Sequence, residues 1–289
     1  MTSLDPSLLR RLEVLRRHLV SRARSGGVGE RTSGRRGSSA EFRDHRAYAP
    51  GDDPRRIDWA AYARTDEPVV KLYRAEEDVV VRVAIDTSRS MDHGAPSKRE
   101  AARAIGAAIG YLALARGERA ELLGVDAGHA PRVSFTRGRS GVASLLRSLE
   151  ALPAGGTAGL AQALPELLRR AGRPGWLVLV SDFLEPAALM GPLGAARAAG
   201  HDVALVQVLS PDELDPTLDG DLTLEDAESG EALDISVDPT TLAAYARRLA
   251  NLCDELRGCA RRLGGTYVRA RSDEPLESVM DRFVARSLD

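Results

Sequence analysis

From residue 79 onward the chain alternates two kinds of segment, and this alternation restricts its possible folds more than any other feature. Apolar runs of strand length, such as Val79 to Ile85, "GWLVLVSD" and "DVALVQVL", are separated by amphipathic segments of helix length. Continuously apolar strands are typical of a sheet buried on both faces, and the helices between them permit parallel pairing. Only a short turn at Ala127-Gly128 separates "AELLGVD" from "PRVSFT", which predicts an antiparallel pair. We therefore expect an α/β fold with a doubly wound, mostly parallel sheet and one antiparallel edge strand.

Local signals place several of the helices. Ser97 and Glu100 have the spacing of a capping box before "REAARAIGAAIGYLALARG", and Gly117 follows the last periodic residue of that segment. A second helix is predicted over Pro186 to Ala199, and a closing helix is predicted from Glu274.

The pattern divides the chain into four parts. Residues 1–24 predict an amphipathic helix with one leucine stripe, and residues 25–40 predict a flexible linker rich in Gly, Ser and Arg. Residues 41–78 are expected to pack on the core, with a short helix in "RRIDWAAYAR" and an edge strand in "PVVKLYR". Residues 79–289 are expected to form the α/β domain. The leucine stripe consists of Leu8, Leu12, Leu15 and Leu19.

An acidic region interrupts the α/β pattern. Residues 211–234 contain ten acids and no base, and two alternating arms flank Ser229-Gly230, which predicts a hairpin. This hairpin is either solvated surface or an acidic docking site.

Composition excludes some functions and favours a cytoplasmic location. The 40 basic and 42 acidic residues leave a formal net charge of -2, so no global field attracts nucleic acid or an anionic membrane. The N-terminal segment lacks the unbroken apolar run of a membrane span. Cys253 and Cys259 lie six residues apart, which fits neither a metal-ligand spacing nor one helical face, so we expect reduced thiols.

Polar side chains follow two of the apolar strands. Asp86, Ser88 and Ser90 alternate after the first strand, Thr157 lies in "AGGTAGL", and Asp182 ends "WLVLVSDF". In a doubly wound sheet such residues meet at the carboxyl ends of the strands. An all-oxygen set suits one Mg2+ or Mn2+ ion and suits zinc poorly. Ser and Asp also cap helices and begin turns, so a purely structural role is the alternative.

These residues resemble a known binding site. "DTSRS", the Thr of "GGT" and the Asp of "SDF" resemble the metal-ion-dependent adhesion site (MIDAS) of von Willebrand factor A domains. The resemblance implies that Ser88, Ser90 and Thr157 bind the metal through hydroxyls, while Asp86 and Asp182 act directly or through water. Many such domains have Gly where this chain has Arg89.

The upstream segment extends the resemblance. "FRDHRAYAPGDDPRRIDWAAYAR" together with "VKLYRAEED" resembles the signature of the bacterial family called domain of unknown function 58, DUF58. That resemblance implies a non-enzymatic adaptor that works with a MoxR-type AAA+ ATPase or its client. The partner would supply an acidic side chain to the metal.

The same segment contains a possible interaction surface, although its charges could instead pair with one another while Trp59 and Tyr62 pack inward. Its residues are Asp52, Asp53, Arg55, Arg56, Asp58 and Trp59.

Two other functions stay open at this point. Asp86 could serve a metal-dependent phosphoester hydrolase, although Ser88 stands where one phosphatase class has a second acid. Alternatively, the chain is a scaffold with a vestigial metal site. It contains no "GxxxxGK[ST]" motif, so we do not expect it to be the ATPase itself.

Overall fold

A computed structural model describes most of the chain as two compact units. One unit comprises Gly29–Asp78, and the other comprises Met1–Val28 with Val79–Asp289. The predicted leucine stripe lies outside the described residues, and so does the predicted linker except for its last residue. The described residues are 10, 13, 14, 40–50, 52–75, 79–125, 132–135, 139–152, 160–226 and 229–288.

The smaller unit contains an antiparallel pair of strands and a short helix. Strand β1 (Ala40–Ala47) pairs with β2 (Val69–Ala75), and helix α1 (Trp59–Thr65) lies between them in the chain. The short helix and the "PVVKLYR" strand are confirmed. Strand β1 was missed because charged residues interrupt "AEFRDHRA", which leaves no apolar alternation.

The larger unit is built on a six-stranded sheet. Its order is β10-β7-β6-β3-β4-β5, with parallel pairing from β10 through β4 and antiparallel pairing of β4 with β5. The predicted doubly wound sheet with one antiparallel edge strand is therefore confirmed. The six strands are β3 (Val80–Asp86), β4 (Arg119–Val125), β5 (Arg132–Phe135), β6 (Trp176–Ser181), β7 (Asp202–Leu209) and β10 (Thr266–Arg271).

Helices cover both faces of this sheet. Helices α2, α3 and α8 contribute to the hydrophobic core on one face, and α4, α5 and α7 contribute to the core on the other. Their bounds, with that of the short helix α6, are α2 (Lys98–Ala115), α3 (Arg139–Glu150), α4 (Leu160–Arg170), α5 (Pro186–Ala198), α6 (Pro211–Leu214), α7 (Pro239–Arg262) and α8 (Leu276–Leu288).

Helix α2 is fixed at its first turn and along its buried face. The predicted capping box is present, because the Ser97 side chain accepts from the Glu100 amide and Glu100 accepts from the Ser97 amide. A Cβ atom added at Gly106 would lie 2.6 Å from Cδ1 of Ile85 in β3, so glycine permits the close approach of helix and strand. This packing brings the first residue of α2 to the carboxyl end of β3.

The acidic region forms the predicted hairpin. Strand β8 (Gly220–Glu225) pairs antiparallel with β9 (Ala232–Val237) as a separate two-stranded sheet. The closing helix begins at Leu276 and not at Glu274, because Glu274 belongs to the preceding turn and its amide donates to the carbonyl of Arg271 at 3.0 Å.

The two cysteines, Cys253 and Cys259, are buried on α7 and are not bonded to each other. Among the described helices, none combines the length and the hydropathy that crossing a bilayer requires.

Candidate functional site

The candidate site lies where the strand order of the sheet reverses. Strand β3 has β4 on one side and β6 on the other, so the chain leaves β3 in one direction and later returns to its opposite flank. Asp86 is the last residue of β3, and Asp182 directly follows β6. The switch point of a doubly wound sheet is where such folds bind ligands, since the flanking loops diverge there.

Asp86 is buried and held through both carboxylate oxygens. The Ser88 amide donates to Oδ1 at 2.9 Å, and the Ser181 hydroxyl donates to Oδ2 at 2.6 Å. Burial is the main cause that raises the pKa of Asp86, and the nearby Asp182 carboxylate also raises it, while the Ser181 and Ser88 hydrogen bonds oppose the change. A positive charge placed here would stabilise the ionised carboxylate.

The hydroxyls of Ser88 and Ser90 lie side by side next to Asp86. Their oxygens are 3.1 Å apart, Ser88 is buried, and Ser90 is partly exposed. Ligands at about 2.1 Å from Mg2+ in an octahedron stand about 3.0 Å apart when adjacent. The two hydroxyls therefore have the spacing of adjacent ligands of one ion.

The turn after β6 fixes Asp182. Phe183 is buried with a φ of 52°, in the left-handed region, and its amide donates to the Ser181 hydroxyl at 3.0 Å. Gln207 donates to the Asp182 carbonyl at 3.0 Å, and the hydroxyl of Tyr267 donates to Gln207 at 2.7 Å. A left-handed non-glycine residue costs on the order of 1–2 kcal/mol. The surrounding hydrogen bonds maintain this turn, which sets the position of the carboxylate.

Lys98, the first residue of α2, is a participant that sequence reasoning missed. Its ammonium donates to Asp182 at 2.8 Å and to Glu213 of α6 at 2.5 Å, and its side chain is 1% exposed. Burial is the largest influence and lowers the pKa of Lys98, but the charges of Asp182 and Glu213 together outweigh it and raise that pKa overall.

Two signals in the sequence could have identified this lysine. The chain has only two lysines among its 40 basic residues, Lys71 and Lys98. A cation in the first turn of a helix also opposes the helix dipole, which calls for a compensating carboxylate.

The charges of the described residues at this end of the sheet, which we call the rim, do not balance. The rim comprises Asp86, Ser88, Ser90, Lys98, Asp182 and Glu213. Asp86, Asp182 and Glu213 provide three carboxylates, whereas Lys98 provides one ammonium. Across the described residues, no three His, Cys, Asp or Glu side chains converge as a metal cluster, so a cation here would depend on the serine hydroxyls. The all-oxygen set, the hydroxyl spacing and the negative surplus fit a hard divalent ion. Thr157, the fifth predicted ligand, lies outside the described residues.

The possible interaction segment belongs to the smaller unit, and most of its acids have structural partners. Asp52 accepts two hydrogen bonds from Arg46, at 2.6 and 2.7 Å. Asp53 caps the short 3-10 helix Pro54–Arg56 through the amide of Arg55. Asp52 is therefore paired with an arginine outside the six residues, whereas Asp53 acts as a helix cap.

Asp58 and Trp59 differ from each other in exposure. Asp58 is buried, caps α1 through the amides of Ala60 and Ala61, and lies 2.9 Å from Nε2 of His45. Trp59 is 62% exposed and meets Tyr62 edge to face. An exposed indole is available to a partner, so a role of this segment in binding stays a prediction, as does its packing on the sheet.

Comparison with solved structures finds similar chains at low sequence identity. BatB, a conserved hypothetical protein from Bacteroides thetaiotaomicron, is 16% identical with a TM-score of 0.44, over 72% of this chain and 98% of that one. The VWA domain of SpRpn10 is 12% identical with a TM-score of 0.41, over 73% of this chain and 97% of that one.

Comparison of sequences finds relatives at higher identity. Uncharacterized proteins of Mycobacterium bovis and Mycobacterium tuberculosis are 35% identical over 292 residues, spanning 97% of this chain and 90% of each relative. The family model described as "Protein of unknown function DUF58" matches residues 44–252, which include the candidate site and most of the upstream segment. The chain therefore belongs to the DUF58 family, as its motifs predicted.

Proposed function

We propose that this protein is a non-enzymatic, metal-dependent interaction module that binds an acidic side chain of another protein. The observation that carries the proposal is the fixed Asp86 at the switch point, with the Ser88 and Ser90 hydroxyls 3.1 Å apart beside it. Asp86, Ser88, Ser90 and Asp182 would hold Mg2+ or Mn2+, with Thr157 as the fifth ligand. The bound ion would supply a positive centre that attracts a carboxylate oxygen.

The environment of Asp86 supports binding over hydrolysis. Both oxygens of Asp86 accept hydrogen bonds from Ser88 and Ser181, which fix the carboxylate and occupy one lone pair of each oxygen, so the other lone pairs are left for a cation. Such an arrangement favours a fixed anion that positions a cation.

The partner class follows from the family resemblance. We propose that a MoxR-type AAA+ ATPase or its client supplies the acidic side chain, and that the protein acts as an adaptor in the cytoplasm. The free, buried thiols of Cys253 and Cys259 support a reducing compartment.

Metal binding is tested by calorimetric titration of the purified chain with Mg2+ and with Mn2+. Wild-type protein is expected to bind one ion, and Asp86→Asn or the pair Ser88→Ala with Ser90→Ala is expected to weaken binding at least tenfold. Ser144→Ala on α3 is the control for loss of a hydroxyl elsewhere. Unchanged affinity in the rim variants would contradict the proposed site, and no binding by wild type would favour a vestigial site.

Partner binding is tested with the MoxR-type ATPase purified from the same organism. Surface plasmon resonance with Mg2+ and with a chelator should show binding only by wild type in Mg2+. Equal binding in all conditions would mean that the ATPase binds a surface other than the rim, and Trp59 would be the next residue to substitute. Turnover of a generic phosphoester that is abolished by Asp86→Asn would instead restore the hydrolase hypothesis.

A further inference from the structure

A cleft rich in arginine lies at the β10 edge of the sheet, apart from the residues proposed to hold metal. Its volume is about 610 Å3, and its walls include two acids, Asp273 and Glu274, together with Leu214, Tyr267 and Pro275. Five arginines line it, from α7, β10 and α8: Arg257, Arg269, Arg271, Arg282 and Arg286. We call these five residues with their surroundings the arginine cleft. It is strongly positive in a chain whose net charge is -2.

Two of the five arginines have a structural role. Arg282 donates to the carbonyl of Arg269 at 3.0 Å, and Arg286 donates to the carbonyl of Tyr267 at 2.6 Å. These carbonyls belong to β10, an edge strand of the sheet. Since exposed strand edges pair readily with other chains, the two guanidinium groups protect this edge from nonspecific pairing.

The carboxylates near the cleft do not neutralise it. Asp273 pairs with Arg271, Glu274 pairs with Arg282, and Asp254 pairs with Arg257. Among the described residues, three of the five guanidinium groups thus form an ion pair with a carboxylate, and those of Arg269 and Arg286 do not. Arg269 is exposed, and its side-chain contact is with the sulfur of Cys253 at 3.9 Å, a weak acceptor. The cleft therefore suits an anionic segment.

The hairpin of β8 and β9 offers the complementary chemistry. Asp221 and Glu225 alternate with leucines along β8, so they share one face of the hairpin, and both are exposed. Leu224 is 42% exposed, and Leu233, its partner across the strands, is 64% exposed. Leu224 and Leu233 lie on the opposite face of the hairpin from Asp221 and Glu225, so the acidic face is the one that matches the guanidinium groups of the cleft.

The hairpin does not occupy the cleft of its own chain in the structure, because no described residue of β8 or β9 is among the cleft walls, although Leu214, six residues before β8, is one of them. The other end of the hairpin leads into α7 at Pro239, and Arg257 lies 18 residues further along that helix. At 1.5 Å per residue this separation is about 27 Å. A second copy faces no such constraint.

We propose that the protein self-associates head to tail, with the β8–β9 hairpin of one copy in the arginine cleft of the next. The contact is heterologous, so each copy retains one unused hairpin or cleft and further copies can add. A hairpin in a small cleft gives a limited interface dominated by exposed charge pairs. Micromolar affinity and steep weakening by salt follow.

Sedimentation velocity of the full chain tests this proposal, in a chelator so that the result is independent of metal. Wild type should sediment faster as its concentration rises through the micromolar range, and should revert to monomer in high salt. Arg257→Glu with Arg269→Glu alters the cleft but keeps the edge-protecting Arg282 and Arg286. Asp221→Lys with Glu225→Lys alters the hairpin. Arg247→Glu with Arg248→Glu, both exposed on α7 and absent from the cleft walls, is the control with the same charge change.

The decisive sample is a mixture of the two interface variants. Each variant alone should stay monomeric, because it lacks one half of the contact. An equimolar mixture should form a one-to-one dimer and nothing larger, since only one intact cleft and one intact hairpin can meet. Circular dichroism of each variant verifies folding.

Several outcomes would overturn the proposal. They are monomeric wild type at every concentration, assembly that survives both sets of substitutions, or a mixture that remains monomeric. The proposal would also fail if the cleft of a monomeric wild type bound a DNA oligonucleotide and lost it on charge reversal.

Discussion

The two ends of strand β3 differ in whether their buried charges are balanced by opposite charges of the chain. Near the start of the strand, Arg82 donates to Glu121 of β4 at 2.7 Å and to the carbonyl of Ala171 at 2.7 Å, and both charged side chains are at most 6% exposed. At the other end, Asp86 and its neighbours provide three carboxylates for the single ammonium of Lys98. The first end is balanced by the chain itself, and the second is not.

This difference distinguishes a charge pair that stabilises the fold from a group of charges that can bind an outside ion. A buried charge without a partner is strongly destabilising, so we expect a buried charge with a purely structural role to have a partner of opposite sign. Arg82 and Glu121 meet that requirement without any outside group. The negative surplus at the rim is stable only with a further cation or with proton uptake, and we propose that the hydroxyls of Ser88 and Ser90 bind that cation. The comparison supports a binding role for the rim.

The largest expected effect is at the balanced end. Glu121→Gln leaves Arg82 charged and buried without its carboxylate, and should lower the free energy of unfolding by about 3–5 kcal/mol. Urea unfolding monitored by circular dichroism measures the change. The paired replacement Arg82→Met with Glu121→Leu should recover most of it, because it removes both charges. If Glu121→Gln were as stable as wild type, the balance of the two buried charges would not contribute to the free energy of unfolding.

A smaller effect is expected at the rim, where an outside ion can compensate. Lys98→Met leaves Asp182 and Glu213 without their ammonium, but Glu213 is 18% exposed and keeps some contact with water. We expect a loss of about 2–3 kcal/mol in unfolding free energy, lower than for a fully buried pair.

The effect of Mg2+ on Lys98→Met tests whether an outside ion compensates the negative charge of the rim. Mg2+ should raise the melting temperature of Lys98→Met more than that of wild type, because the ion meets one less positive charge and two freed carboxylates. Lys71→Met in β2, a strand of the other unit, is the matched control. A smaller Mg2+ response than in wild type would mean that Lys98 positions the acids for the ion and does not compete with it.

The sequence revealed those parts of the architecture that arise from local patterns. The apolar strands, the Ser97–Glu100 capping box and the acidic hairpin each leave a signal within a few residues, and the structure confirms them. The alternation of strands and helices also sufficed to predict a mostly parallel sheet, because that connection leaves few alternatives.

The missed features depend on partners that are distant in the chain. The Lys98 ammonium meets Asp182, 84 residues away, and Glu213, 115 residues away, and no local pattern links these positions. Ser181 preceded a predicted ligand, but its hydrogen bond to Asp86 follows from the neighbouring positions of β6 and β3 in the sheet. Sequence reasoning found which acids end the strands, whereas the identity of their partners required the strand order.

The smallest expected effect concerns His201, which lies just before β7. Its pKa is influenced by Arg82, which belongs to the balanced end of β3. The side chain of His201 is buried, and burial is the main cause that lowers its pKa below 6.5, with the positive charge of Arg82 as the second cause. Below about pH 6.5 the unfolded chain therefore takes up a proton that the folded chain does not, so stability falls as the pH falls from that value. Between pH 7.5 and 5.5 the loss due to His201 should be at most about 1.4 kcal/mol, the limit for an imidazole that stays neutral in the folded chain.

The measurement compares urea unfolding at these two pH values for wild type and His201→Asn, since the difference between their losses isolates this imidazole from every other titrating group. The same comparison in the Arg82→Met, Glu121→Leu background should give a smaller difference, because the charge of Arg82 no longer opposes protonation. An undiminished difference would assign the shift to burial alone. A reduced one would show that Arg82 at the balanced end of β3 opposes an added positive charge, which is the opposite of the role that we propose for the rim at the other end of the strand.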